Sequence, residues 1–323
     1  MTARAGGSGG WLARLVRQGL FVCSLLGAAL MSPGAQAWEI ALLLSDNKGA
    51  PQQFVDALQV ALKPGKHRVV HAGAVREDMR PGLVAGADLI VAAGRQAVET
   101  ALREFDRPVL AVLIGLRDVE RLRAAYPDRP LGAVVLDQPA VRHLRLVRAI
   151  LPQEARVGVL LGPDSRLFEA DVMRAGEVAR VEIDIAEIAD GKELVGALQS
   201  LLDKAGALLP LPDSLVSSPA AARTILLTSY RYRRPIFAFS SAYVTAGALA
   251  AVFSTPEHIA NDVADLLGSD LLRTGRVEQV ASGFRYPERF DVAVNRTVAR
   301  ALGISVPDDQ ALRDRVASAE AAR

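Results

Sequence analysis

Short apolar runs recur along this chain, at Ile40–Leu44, Leu89–Ala93, Val109–Ile114, Val157–Leu161, Ala207–Leu211 and Ile236–Phe239. Each gives way to a polar or glycine-bearing turn, and an amphipathic helical stretch then follows. Phe54, Leu58 and Leu62 recur at helical spacing after the first run, and Ala97, Val98, Ala101 and Leu102 after the second. Runs of about five or six apolar residues bounded by turn signals read as strands buried on both faces. The expected fold class is therefore α/β, with parallel sheets covered by helices. In such sheets ligands bind beyond the carboxyl ends of the strands.

The first 37 residues read as an export signal rather than as part of the fold. Arg4, Arg14 and Arg17 make a positive start without an acid, Gly19–Met31 is apolar, and Ala35-Gln36-Ala37 is a small-x-small cleavage site. Cleavage is expected between Ala37 and Trp38, the alternative being an uncleaved anchor. Cys23, the only cysteine, follows Val22, where a lipoprotein signal wants a small residue. It reads as filler of the apolar stretch. The mature chain then has no thiol, no disulfide and no cysteine nucleophile.

Export also changes the charge balance. The whole chain carries 38 basic and 36 acidic residues, and removing three arginines leaves 35 against 36. No basic patch with interleaved aromatics stands out, so nucleic acid is not an expected partner. The remaining 286 residues suit two lobes of ordinary size. A soluble periplasmic protein is expected.

Signatures of catalysis are missing. No strand end carries GxGxxG or GxSxG, and the chain has no GxxxxGK[ST] and no HExxH. His67, His71, His143 and His258 stand apart, without carboxylates or cysteines at ligand spacing. They read as surface or partly buried residues, and no metal or cofactor is expected. Asp262 and Asp265 read as a solvated helix face.

The candidate ligand groups are those at strand ends. Ser45, Asp46 and Asn47 offer hydroxyl, carboxylate and amide, and are equally suited to cap the helix that begins near Pro51. Gly94 permits close backbone approach, and Arg95, opening a helix, suits a carboxylate. Asp137, Gln138, Asp164, Asp213, Ser240 and Ser241 complete the ring, with Asp213 suited to a ligand ammonium or to a helix cap. The aromatics nearby are few, Phe168, Phe239 and Tyr243; Tyr243 is placed to face a ligand, and Phe239 reads as core.

Three segments carry a resemblance: LGAVVLDQPAVRHLRLVRAILPQEARVGVLLGP, LLPLPDSLVSSPAAARTILLTSYRYRRPIFAFSSAYVTAGALAAV, and NRTVARALGI. In order and pattern the mature chain resembles the ABC-transporter substrate-binding family of tryptophan-type solute receptors. The matching positions include Asp137-Gln138-Pro139, Pro212-Asp213, Pro235-Ile236-Phe237 before Ser240, Gly247-Ala248-Leu249, and Asn295 through Ile304. The resemblance implies a type I periplasmic binding protein: two Rossmann-like lobes around a cleft, monomeric and not an enzyme. It also implies delivery of a small polar or amino-acid-like ligand to an inner-membrane ABC permease. The lobes are expected as 38–137 plus 248–282 and 138–247 plus 283–307, with 308–323 a charged, loose tail. Crossings between them are expected near Asp137–Ala140, Ser240–Ala248 and Phe284–Arg289. An orphan periplasmic sensor or envelope docking protein on the same fold is the alternative. An exported hydrolase lacks a nucleophile–base pair.

Overall fold

The apolar runs become the strands of two sheets in the computed structural model. It describes Thr2 and residues 38–62, 67–154, 156–274 and 277–318. The export signal, its cleavage sequence and Cys23 lie outside the described residues, as do positions 319–323 of the tail. Residues 39–323 form one compact unit, and the fold is that of this unit.

Chain order alternates strand and helix through β1 (Trp38–Leu44), α1 (Gly49–Ala61), β2 (His67–Ala74), α2 (Pro81–Gly86) and β3 (Leu89–Ala93). It continues through α3 (Arg95–Glu104), β4 (Val109–Val112), α4 (Leu116–Ala125) and β5 (Leu131–Val134). These strands and β11 (Phe284–Arg285) form the first sheet, with spatial order β11-β5-β4-β3-β1-β2. Strands β1, β3, β4, β5 and β11 run parallel. All five residues of β3 are fully buried, as a strand covered by helices on both faces requires.

The second lobe begins with α5 (Ala140–Ile150) and β6 (Arg156–Leu161). It continues with α6 (Glu169–Ala179), β7 (Glu182–Glu187), α7 (Leu194–Leu202) and β8 (Ala207–Pro210). Then come α8 (Pro219–Arg231), β9 (Phe237–Ala238), α9 (Ser241–Ala246) and β10 (Ala250–Phe253). Strands β7-β6-β8 are parallel, and a bridge from Leu208 to Ile236 joins them to β9-β10-β12, where β12 (Asp291–Val294) is the antiparallel edge.

The chain crosses between the sheets three times: after β5, between β10 and α10 (Pro256–Thr274), and between β11 and β12. Helix α10 packs on α1 in the first lobe, and α11 (Val277–Val280) follows it. The second crossing therefore lies at Ser254-Thr255, after β10, and residues 248–253 belong to the second sheet rather than the first. An apolar run declares a strand; its sheet is decided by a partner far away in sequence.

Two further expectations need correction. After α12 (Arg296–Leu302), the tail helix α13 (Asp309–Ser318) is docked rather than loose, packing on α5 and β12 with Leu312 and Val316 fully buried. Asp262 is not on a solvated face. It is buried, accepts from the Glu288 and Arg289 amides, and pairs with the Arg289 guanidinium at 2.5 Å.

The crossings are tied to one another. Gln138 donates to Ser254 Oγ at 2.9 Å, and Ser254 donates to the Arg289 carbonyl at 2.5 Å. The buried Arg142 donates to Gln138 Oε1 and to the Pro287 carbonyl, and its guanidinium lies 4.6 Å over the Phe290 ring.

Candidate functional site

A cavity of about 470 Å³ opens where strands of both sheets end. From the first lobe it takes Gly115, Arg117 and Asp118 beyond β4. From the second it takes Phe168, Asp171 and Val172 around the start of α6, Leu211–Asp213 and Ser217 after β8, and Phe239–Ser241 after β9. Each crossing contributes as well: Gln138 from the first, Ser254 from the second and Tyr286 from the third.

Local sequence explains these placements. The turn out of β4 passes through Leu113 at φ 53°, a left-handed conformation that is uncommon and costly for a residue with a Cβ. Gly115 then precedes α4, and Asp137 Oδ2 accepts the first amide of that helix, from Leu116, at 2.6 Å. A carboxylate on a helix N-terminus is favourably placed. Burial nonetheless raises the Asp137 pKa above its ordinary value, against the pull of the Leu116 amide.

Of the predicted residues, Asp137, Gln138, Asp213, Ser240 and Ser241 line the cavity. They differ in what they have free. Asp213 is almost wholly buried and saturated by its own chain: Oδ2 accepts from Asp164 N, Ser165 N and Ser165 Oγ, and Oδ1 from Leu215 N, all within 3.0 Å. A Cβ on Gly162 would lie 2.4 Å from that carboxylate, so glycine is required beside it. Ser240 Oγ accepts the Tyr243 amide and so caps α9.

The remaining predicted residues do not line the cavity. Ser45 Oγ accepts the Ala97 amide at 3.0 Å, capping α3 across the sheet, and Gly94 at φ 88° leaves room for it, since a Cβ there would lie 2.6 Å from that oxygen. Asn47 donates to Glu77 and Asp78, closing one loop on another. Asp46 and Arg95 are exposed. Tyr243 is buried, its ring edge-on to Phe239 with centroids 5.6 Å apart. Asp164 is buried beside the cavity and takes charge from across it. It accepts from Arg117 Nη1 at 3.1 Å and from Arg121, both on α4, and from Ser214 Oγ at 2.6 Å. The Ser214 hydroxyl, outweighing burial and helped by both guanidinium groups, holds its carboxyl below the usual range.

Several lining groups were not singled out from sequence. Gly115, Arg117 and Asp118 follow the strand-end rule that marked the others and were legible by it. Phe253 and Tyr286 sit at crossings, and Asp171 and His143 lie in helices where no local pattern marks them. Four rings, Phe168, Phe239, Phe253 and Tyr286, line the cavity, and Phe239, packed against the core as expected, also reaches that lining. Among the described residues no cluster of three metal-ligating side chains is gathered, and no helix is long and apolar enough to cross a membrane.

Comparison with known proteins fits this geometry. The chain is similar to the ABC domain in complex with L-Trp from Streptococcus pneumonia (17% identity, 86% of this chain and 98% of that one, TM-score 0.53). It is also similar to a conserved domain protein from Vibrio cholerae (17%, 87% and 98%, TM-score 0.54). A third similar structure is the ligand-free, open form of CD0873, a substrate binding protein with adhesive properties from Clostridium difficile (16%, 85% and 97%, TM-score 0.62). No curated protein matches. At these identities the structures speak for the fold, the two-lobed type I periplasmic-binding-protein architecture. The sequence model for "ABC transporter substrate binding protein" matches residues 130–314. That span runs from β5 through the second lobe and all three crossings, more than half of the sequence, and the chain belongs to the ABC transporter substrate-binding protein family.

Proposed function

We propose that this chain is an exported, periplasmic solute-binding protein that holds a small polar or amino-acid-like ligand between its lobes and delivers it to an inner-membrane ABC permease. The observation that carries this reading is the cavity of about 470 Å³, lined from both sheets and from all three crossings. A ligand in such a place touches both lobes at once. It therefore favours the closed arrangement over the open one by the contacts that only closure completes. Asp137, Gln138, Ser240 and Ser241 orient it, the rings cover its body, and closure excludes water. The chain performs recognition rather than chemistry in this reading.

A thermal-shift screen of the purified protein against amino acids, amines, sugars and aromatic acids tests it. A binding solute present at a hundred times its Kd stabilises the fold by about 2.7 kcal/mol. The expected result is a concentration-dependent rise in melting temperature with one chemical class, lost when Phe239 is changed to Asp inside the cavity. A flat screen across all classes, with no loss of uptake of any of these solutes in cells lacking the protein, would overturn the reading.

A further inference from the structure

The cavity is unevenly charged. Asp118, Asp137 and Asp171 face it, and Arg117 is the one guanidinium in its lining. That arginine is already engaged, donating to Asp164 at 3.1 Å and to Asp118 at 3.4 Å. His143 also lines the cavity, but burial, and then the neighbouring Arg142, lower its pKa to about 4, so it is neutral at physiological pH. Two helix-start amides that would suit a ligand carboxylate are taken by the chain itself: Leu116 N by Asp137, and Tyr243 N by Ser240. Asp213 brings no spare acceptor. Of the acids, Asp118 is the partner of Arg117 and Asp171 accepts from the exposed Arg174 at 3.1 Å, so the acidic group left for a charged ligand is Asp137, with Asp171 shared at the surface. The Tyr286 hydroxyl lies within the fields of Asp171 and Asp137, which, after burial, push its pKa up to about 12. Asp137, Asp171 and Tyr286 all line this one cavity.

We propose that the ligand is a cationic amphiphile, an arylalkylamine-like monocation without a carboxylate. Its ammonium sits by Asp137, Asp171 and the face of Tyr286, and its apolar body lies against Phe168, Phe239 and Phe253. Carboxylates supply the charge complement, and an aromatic face adds a cation–π contact. A zwitterionic amino acid would bring a second charge to a site whose only lining guanidinium is occupied. This narrows the solute-binding reading above and rests on it.

Calorimetric titration of the full chain with matched pairs separates the two. Tryptamine against L-tryptophan, and phenethylamine against L-phenylalanine, differ only by the carboxylate. The amine should bind at least tenfold more tightly than its amino acid. Asp137→Asn, which keeps an oxygen for the Leu116 amide, should weaken amine binding about tenfold and erase the preference. Asp171→Asn, at a more exposed carboxylate, should weaken it several-fold. An amino acid binding as well as its amine, or amine affinity unchanged in Asp137→Asn, overturns the proposal. Should neither member of a pair bind while a sugar or acid from the screen does, this inference falls and the solute-binding reading stands. If no solute binds, both fall.

Discussion

His143 lies in the first turn of α5, lines the cavity and is only 4% exposed. Burial, with the Arg142 charge adding to it, lowers its pKa from 6.5 to about 4. The unfolded chain then binds a proton at this site between pH 6.5 and 4 that the folded chain refuses. Stability must fall as pH falls through that window, by about 3 kcal/mol at pH 4 from this residue. Asp137 acts oppositely, because its raised pKa makes the folded state the readier proton acceptor as the solution becomes acidic. A difference measurement isolates the histidine. In urea unfolding, His143→Asn should lose ground to the wild type at pH 7.5, or match it, and gain about 3 kcal/mol relative to it by pH 4. A constant gap across that range would mean that His143 takes up its proton in the fold as readily as in the unfolded chain. Residue type and strand-end position identified Asp213 as a polar group of the cavity wall, but not that four donors of its own chain had claimed its oxygens. The difference between a carboxylate offered to a ligand and one spent on a loop lies in backbone amides, which have no letter in the sequence. The same holds for Ser45 and Gly94, which fit each other rather than a solute.

Among the elements, β5 shows how closely the first sheet is built against the segment that leads into β11. A Cβ on Gly132 would lie 2.3 Å from the Val280 carbonyl oxygen and 2.8 Å from two backbone atoms of Ala281. These are backbone atoms of α11 and the residue after it, so no side chain can swing aside. Gly132→Ala should therefore destabilise the fold by about 2–3 kcal/mol through overpacking, read as a lower urea midpoint. Gly158→Ala in β6 is the control. Its added methyl meets only side chains, at 3.2 Å and beyond, and should cost less. Strands with both faces buried were easy to read, because β1, β3, β4, β6 and β8 are nearly unbroken apolar runs. Strand β9 falls inside the run Ile236–Phe239, whereas β11, two residues long, was not separable from its surroundings by pattern. Helix α13 was misread for a different reason. Its charges are conspicuous, while Leu312 and Val316, the two side chains that dock it, are a single i,i+4 pair.

At the scale of the molecule, the lobes touch through charge as well as through the chain. Arg117 and Arg121 of α4 reach Asp164 beyond β6, spanning the two sheets. Arg121 is 55% exposed, so water and salt screen its share, and the pair should favour the closed arrangement by about 1 kcal/mol. Changing both arginines to alanine should weaken ligand binding about fivefold at low salt. The difference should shrink in 0.5 M salt, where the Debye length falls to a few ångströms. Small-angle scattering of the ligand-free double variant should report a larger radius of gyration than the wild type. Equal radii and equal affinities would leave the bridge without a part in closure. The two-sheet architecture was legible because parallel strands and their helices repeat. The second crossing was not, since the run Ala248–Phe253 reads the same whichever sheet it joins.

The three crossings are fastened together through Gln138, Ser254 and Arg142, and one residue of each faces the cavity. In the solute-binding reading proposed above they serve as an axle, and a solute in this cavity would rest against it rather than at the rim. A wedge beside a fulcrum needs little thickness to swing the far ends of its levers widely. On that reading a bulge of one methyl on the bound molecule would be magnified into a large displacement at the outer tips of the lobes. Whatever partner touches those tips can judge what lies inside without reaching it.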